Sequence, residues 1–99
     1  DETAAFVPTP CPERPFAALV FPFYGDRVVL ADIDGRGWCV PSGRLEPGED
    51  AAQAARREAF EEAGVRLGTT LPLGHYVLTR DDGSVRRAAV FVGSVDALE

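Results

Sequence analysis

Residues 43–65 read GRLEPGEDAAQAARREAFEEAGV, and the reading of this segment decides the fold. It holds six acidic residues, three arginines and three glycines. Gly43, Pro47 and Gly48 mark a loop, and Glu49 and Asp50 follow as acids suited to a helix start, where they complement the positive end of the dipole. Residues 51–63 are dominated by Ala, Glu, Arg and Gln, all good helix formers, and Gly64 supplies the stop. Ala52, Ala55, Ala59 and Ala63 recur at helical spacing, so one face is small and apolar and can lie close against a sheet, with Phe60 adding bulk beside it.

Glu58, Glu61 and Glu62 stand at i, i+3 and i+4, so their carboxylates leave one side of the helix within reach of a common point. Each like-charged pair costs an isolated helix a few tenths of a kcal/mol, roughly. A hard divalent cation removes that objection, because Mg²⁺ or Mn²⁺ takes oxygen ligands and shares its shell between a few carboxylates, waters and a substrate phosphate. The plainer alternative is a solvated face on which Arg57 pairs with Glu61 at i+4. The glycine-bearing loop ahead of the helix favours the site, since backbone there can approach a phosphate closely.

Outward from this segment the chain reads as strands. Residues 16–24 are aromatic and aliphatic almost throughout, which suits a buried strand, although Pro22 demands an edge position or a bulge. Residues 27–33 (RVVLADI) form a second strand, followed by a turn at residues 34–37 and a short segment over residues 38–40. Downstream, residues 73–80 and 85–95 form two strands joined by a hairpin loop, Asp81-Asp82-Gly83-Ser84. Residues 1–15 contain Pro8, Pro10, Pro12 and Pro15 and are expected to form an extended lead-in outside any ladder, with one domain over residues 16–99. The chain does not begin with Met, which points to a trimmed or partial stretch of a longer protein.

At nine positions, Gly43, Glu49, Arg57, Glu58, Ala59, Glu61, Glu62, Gly64 and Val65, the segment resembles the Nudix hydrolase signature, G-x5-E-x7-R-E-U-x-E-E-x-G-U with U aliphatic. A random window would match on the order of once in 10⁹ tries from average residue usage. Ala59 is the soft fit, being small for an aliphatic position. The resemblance implies an α/β fold, a mixed sheet with the signature loop-helix-loop packed on one face. It also implies hydrolysis by water at a phosphorus of a nucleoside diphosphate linked to another group. Glu58, Glu61 and Glu62 would hold one or more Mg²⁺, with Mn²⁺ as a substitute and the Gly43 carbonyl as a further ligand. Glu58 is the first candidate for general base and Glu61 the second. Arg57 would orient a carboxylate, expected to be Glu49 across the loop, while Glu49 and Gly64 serve the motif structurally. Arg44 is the expected contact to substrate phosphate.

The chain departs from the family in stopping just after its last clear strand, so the closing C-terminal helix common in Nudix domains is expected to be absent. A late acidic ligand found in some members has only Asp96 and Glu99 as counterparts, and neither is assigned. Pro72 and Tyr76 lie too near the signature for the substrate-class patterns of the family, and read instead as the end of a loop and a half-buried strand residue. His75 reads as an exposed strand residue, since a lone His lacks the cluster that a metal site needs. Phe23, Tyr24 and Trp38 suit either base stacking or core packing.

Composition narrows the classes. A net charge of −6 argues against stable nucleic-acid binding, which needs a basic surface. No apolar run could span a bilayer, and nothing at the start resembles a signal peptide. Cys11 and Cys39 read as reduced thiols in a cytoplasmic protein. The expected partner is a small-molecule nucleotide, with a homodimer left open. The rival functions are a non-catalytic nucleotide-binding regulatory module, a purely structural acidic helix, and an isomerase acting on an isoprenoid diphosphate. All three glutamates are present, which disfavours the first; the full signature disfavours the second, and the shortness of the chain the third.

Overall fold

In the computed structural model, which describes residues 1–98, helix α1 spans Ala51–Ala63. Its start is a capping box: the Asp50 side chain accepts from the Gln53 N–H at 2.8 Å, and the Gln53 side chain accepts from the Asp50 N–H at 2.8 Å. Two N–H groups that the helix cannot satisfy internally are thereby paired. Gly64 ends it in the left-handed conformation (φ 66°) and returns its N–H to the Ala59 and Phe60 carbonyls, a position that a Cβ would strain.

Ala54, Ala55 and Ala59 form the fully buried stripe, while Ala52 and Ala63 are partly buried at its flanks. These small side chains bring α1 against Ala18, Val20, Val65, Leu67, Ala89 and Phe91. Each fully buried valine there contributes about 1.5–3 kcal/mol. Phe60 does not extend this face: it is exposed, with the Arg66 guanidinium 5.2 Å from its ring centroid. Arg56, midway along α1, ties the helix to the sheet by donating to the Leu67 and Gly68 carbonyls, each at 2.5 Å.

The strands are β1 (Glu2–Val7), β2 (Ala17–Tyr24), β3 (Arg27–Val28), β4 (Ala31–Ile33), β5 (Gly37–Cys39), β6 (Ser42–Arg44), β7 (Val65–Arg80) and β8 (Val85–Leu98). The main sheet runs β1-β7-β8-β2-β3, with β6 also beside β2, and β4 and β5 form a separate pair. Among the described residues only β2 and β8 pair in parallel and every other pair is antiparallel, so the main sheet is mixed as expected. The hairpin at residues 81–84 is also as expected, closed by Arg80 N–H to the Ser84 carbonyl at 3.0 Å. No helix among the described residues is long and apolar enough to cross a membrane.

Several expectations are corrected. Residues 1–15 do not stay outside the ladder, because β1 pairs with β7 in register from Glu2 opposite Arg80 to Val7 opposite His75. The four prolines all follow β1, so residues 2–7 keep the N–H donors that an edge strand needs. Pro22 lies neither on an edge strand nor at a bulge. β8 pairs continuously along one side of β2; on the other, β6 takes Ala17 to Leu19 and β3 takes Phe23 and Tyr24. Val20 N–H points to the Pro41 carbonyl on that second side, so by strand alternation the missing N–H of Pro22 falls in the gap between β6 and β3.

The strand expected over residues 27–33 breaks at Val29 and Leu30, because β3 pairs with β2 whereas β4 leaves to pair with β5. Strand β7 begins at Val65, not residue 73. Register shifts near Leu67 and at Pro72 to Gly74 absorb the glycines and the proline that read as loop, so Pro72 sits inside the strand at an irregularity. His75 is buried at 2% exposure, covered by β1 and the proline-rich stretch behind it. Tyr76 is half-buried, edge-on to Phe6 at 5.5 Å.

Candidate active site

Strand β6 and the loop after it bring the signature together. β6 pairs with residues 17–19 of β2, and Leu45 N–H reaches the Phe16 carbonyl at 3.0 Å. Pro47 and Gly48 (φ 80°) then occupy the centre of a turn closed by Glu49 N–H to the Glu46 carbonyl at 3.0 Å. Proline followed by a positive-φ glycine is the pattern of a type II turn. It returns the chain so that the Glu49 carboxylate faces α1, where it also accepts from Glu46 N–H at 3.0 Å.

Arg57 is the hub. Its Nε and Nη2 grip both oxygens of Glu49 at 2.8 and 3.0 Å, the pairing expected from the sequence. Nη2 also donates to the Arg44 carbonyl at 3.0 Å, and Nη1 to Glu58 Oε1 at 2.6 Å, with Glu61 Oε2 farther off at 3.4 Å. The bidentate arginine and the Glu46 N–H hold the Glu49 carboxyl down at about 2, because both stabilise its charged form. The Glu49 hydrogen bond in turn raises the Arg57 pKa. Glu58 goes the other way: burial pushes its carboxyl up, against the opposing pull of Arg57.

The three glutamates leave α1 on the side of β6, where Glu58 and Glu61 share Arg57 Nη1 and Glu62 has partners of its own. The Glu58 side chain is 12% exposed and lies against Gly43, where an added Cβ would collide with its carboxylate. Glu62 accepts from the Ser42 N–H at 2.8 Å and from Arg36 Nη2 at 3.3 Å. The Glu61 side chain is 55% exposed. No group of three His, Cys, Asp or Glu among the described residues converges as a metal cage. The donor set is nonetheless all oxygen, on one helix face, beside a glycine whose missing side chain leaves room for Glu58, which fits a hard divalent ion that keeps part of its water shell.

A cleft of about 260 Å³ opens next to Gly43, floored by Ala17, Ala18 and Ala88 and flanked by Arg36 and Arg44. Arg44 is among the residues that line this cleft; Arg36 and Ser42, which carry no signal in the sequence, line it as well. Arg36 sits in the turn between β4 and β5, where an arginine carries no signal of its own. Phe23, Tyr24 and Trp38 are all exposed, at 37%, 53% and 70%, which corrects the core-packing option for each. Asp96 lies over Gly68 on the β7–β8 pair, and Glu99 falls outside the described residues. Both cysteines are free thiols.

Comparison with known proteins identifies the family and the fold. The family model of the NUDIX domain matches residues 13–97. ADP-ribose pyrophosphatase of Escherichia coli is 36% identical over 97 residues, covering 86% of this chain and 46% of that protein. The chain therefore spans about half the length of that relative. Among solved structures, a mutant of the Bacillus subtilis pyrophosphohydrolase BsRppH superposes with a TM-score of 0.91 at 27% identity, covering 99% of this chain and 63% of that one. A NUDIX hydrolase from Nitrosomonas europaea gives 0.69 at 27% identity, covering 88% and 62%. With the family model matching most of its length and the signature folded as loop, helix and strand, the chain belongs to the NUDIX domain family.

Proposed function

We propose that this domain is a Mg²⁺-dependent hydrolase that cleaves a pyrophosphate bond in a nucleoside diphosphate linked to another moiety. The observation that carries the reading is the relay Glu49–Arg57–Glu58 beside Gly43, with Glu61 and Glu62 on the same helix face. Relatives described as ADP-ribose pyrophosphatase and RNA pyrophosphohydrolase support the reaction class.

In this reading Glu58, Glu61, Glu62 and the Gly43 carbonyl hold the metal. A divalent ion bound there supplies charge neutralisation for the pyrophosphate and acidifies water. The remaining work falls to side chains. Arg57, fixed by Glu49, holds Glu58 in place. Glu58, the more buried of the two candidate bases, takes the proton from the attacking water as its oxygen bonds to phosphorus and the anhydride P–O bond breaks. Glu61, exposed and weakly held, is the second candidate. Arg44 binds a substrate phosphate at the cleft. Gly64 serves structurally, ending α1 in the left-handed conformation.

The two free thiols suit a reducing cytoplasmic setting, and the partner is a small nucleotide. The test is product release by the full-length protein from a panel of nucleoside triphosphates, nucleotide sugars, ADP-ribose, dinucleoside polyphosphates and dinucleotide cofactors, with Mg²⁺, Mn²⁺ or EDTA. Metal-dependent turnover of one class establishes the enzyme and its substrate together. Nucleotide binding without turnover across the panel would replace this reading with the regulatory module.

A further inference from the structure

The proline-rich stretch at residues 8–15 is fastened to the sheet through Thr9 and Glu13, and to the loop before α1 through Arg14. At its start the Thr9 carbonyl meets His75 Nδ1 at 2.8 Å, while Arg87 Nη1 meets His75 Nε2 at 3.0 Å. A carbonyl can only accept and an arginine can only donate, so the buried imidazole is the neutral Nδ1–H tautomer with Nε2 accepting. Arg87 also holds Glu13 at 3.1 Å, and its carbonyl takes the Phe16 N–H at 3.0 Å. At the other end the Arg14 guanidinium leaves the sheet. It donates to the Glu49 carbonyl at 2.6 Å and to the Glu46 carbonyl at 3.1 Å. Those residues are the two ends of the Pro47-Gly48 turn.

We infer that Arg14 is a positioning residue for the active-site loop: its fork across the Glu46 and Glu49 carbonyls fixes the turn that aims the Glu49 carboxylate at Arg57, and through Arg57 sets the place of Glu58. The geometry is a chain of direct contacts, from Arg14 to the Glu49 backbone, from the Glu49 carboxylate to Arg57, and from Arg57 to Glu58. Arg14 itself touches none of the three glutamates proposed to hold metal. Four prolines limit the conformations of the strap in the unfolded chain as well as the folded one, so Arg14 is presented to the turn on a stiff arm anchored to β7 and β8. The inference rests on the proposed hydrolase for its kinetic consequence, but not for its structural one.

The test uses Arg14→Ala and Arg14→Lys in the full-length protein, with three readouts. Partners that touch a metal ligand directly are worth roughly 10–100-fold in metal affinity or turnover, and Arg14, acting through Glu49 and Arg57, is expected to fall at the low end of that range. Arg14→Ala is expected to lower kcat at least about tenfold, with KM for the nucleotide changed by less than about threefold. Mn²⁺ affinity, followed by electron paramagnetic resonance without substrate, falls with it. Backbone hydrogen exchange over residues 46–50 speeds up while residues 54–63 keep their protection. Arg14→Lys, which can serve one carbonyl at a time, recovers part of each loss. Unchanged exchange over residues 46–50 in Arg14→Ala would overturn the inference, as would a uniform loss of protection along α1, which marks a merely structural role. If the wild-type protein turns over nothing in the panel, the hydrolase reading fails, and the exchange and Mn²⁺ readouts still decide the role of Arg14.

Discussion

Substituting Gly43 by Ala adds one methyl group on β6 directly beside the Glu58 carboxylate. The new Cβ would run into the Glu58 carboxylate, which cannot simply drift outward, because Arg57 Nη1 holds it at 2.6 Å and only 12% of the side chain is exposed. Gly43 has no positive φ, so its backbone accepts alanine and the conflict is confined to Glu58. Two effects on stability oppose each other. Weakening a hydrogen bond to a charged group costs about 1.5–3 kcal/mol at most, while Gly→Ala at a compatible position returns roughly 0.4–1 kcal/mol through the unfolded state. The net loss should be about 1–2 kcal/mol, or roughly 4–16 °C in Tm for a domain of this size. Activity should suffer more, because displacing a reacting group by about an ångström costs on the order of 10²-fold. Steady-state kinetics at saturating Mg²⁺, beside calorimetry on the same sample, reads both. Gly68→Ala is the control, since its Cβ meets Asp96 instead, and it should keep full turnover. Wild-type kcat in Gly43→Ala would refute the claim that Glu58 is held against this glycine for catalysis.

Other outcomes follow from the same contacts. Glu61→Gln should lower turnover by roughly two decades or more with the fold intact, since one carboxylate of a metal site is worth several kcal/mol to the transition state; circular dichroism and kcat check it, and full activity would refute the assignment. Glu49 is a carboxyl whose folded pKa, about 2, lies below its ordinary value of 4.5. Its contribution to stability is therefore present above about 4.5 and is lost as pH falls toward 2. Glu49→Gln should flatten the acid limb of an unfolding curve in that window, and an unchanged limb would show that the pair with Arg57 carries no stability. His75→Ala should destabilise by about 2–4 kcal/mol, by opening a cavity and removing the partner of the Thr9 carbonyl and of Arg87 Nη1, while Arg87 Nε keeps Glu13; a urea midpoint within error of wild type would contradict the strap anchor.

The parts of the fold that were legible in the sequence are those whose signals are local. Asp50 and Gly64 bracket α1 because capping is settled within a turn of the helix, and the spacing of Glu58, Glu61 and Glu62 places them on one face whatever the surroundings. Arg57 reaching Glu49 was legible only through the family resemblance. Strand β1 was not legible, since Glu2 to Val7 form a strand only because β7 offers an open edge about seventy residues later. The first half of β7 was hidden by Gly68, Pro72 and Gly74, which the sheet tolerates through register shifts that no short-range rule foretells. Residues 27–33 look like one strand because their apolar pattern is continuous, yet two different partners divide them. The roles of His75 and Arg14 are not legible for a shared reason: what each does depends on a carbonyl far away in sequence.

The central claim is that the glutamate face of α1 holds the catalytic metal, and a Mg²⁺ titration of thermal unfolding without nucleotide tests it most directly. The comparison is between the wild-type protein and one carrying Glu58→Gln, Glu61→Gln and Glu62→Gln together. Binding to the native state alone should stabilise the wild type by about 2.7 kcal/mol at a hundredfold excess over Kd. The triple variant, relieved of like-charge crowding, should show no response to Mg²⁺. An equal shift in both proteins would place the ion elsewhere, and no shift in the wild type would mean that these carboxylates do not hold metal on their own.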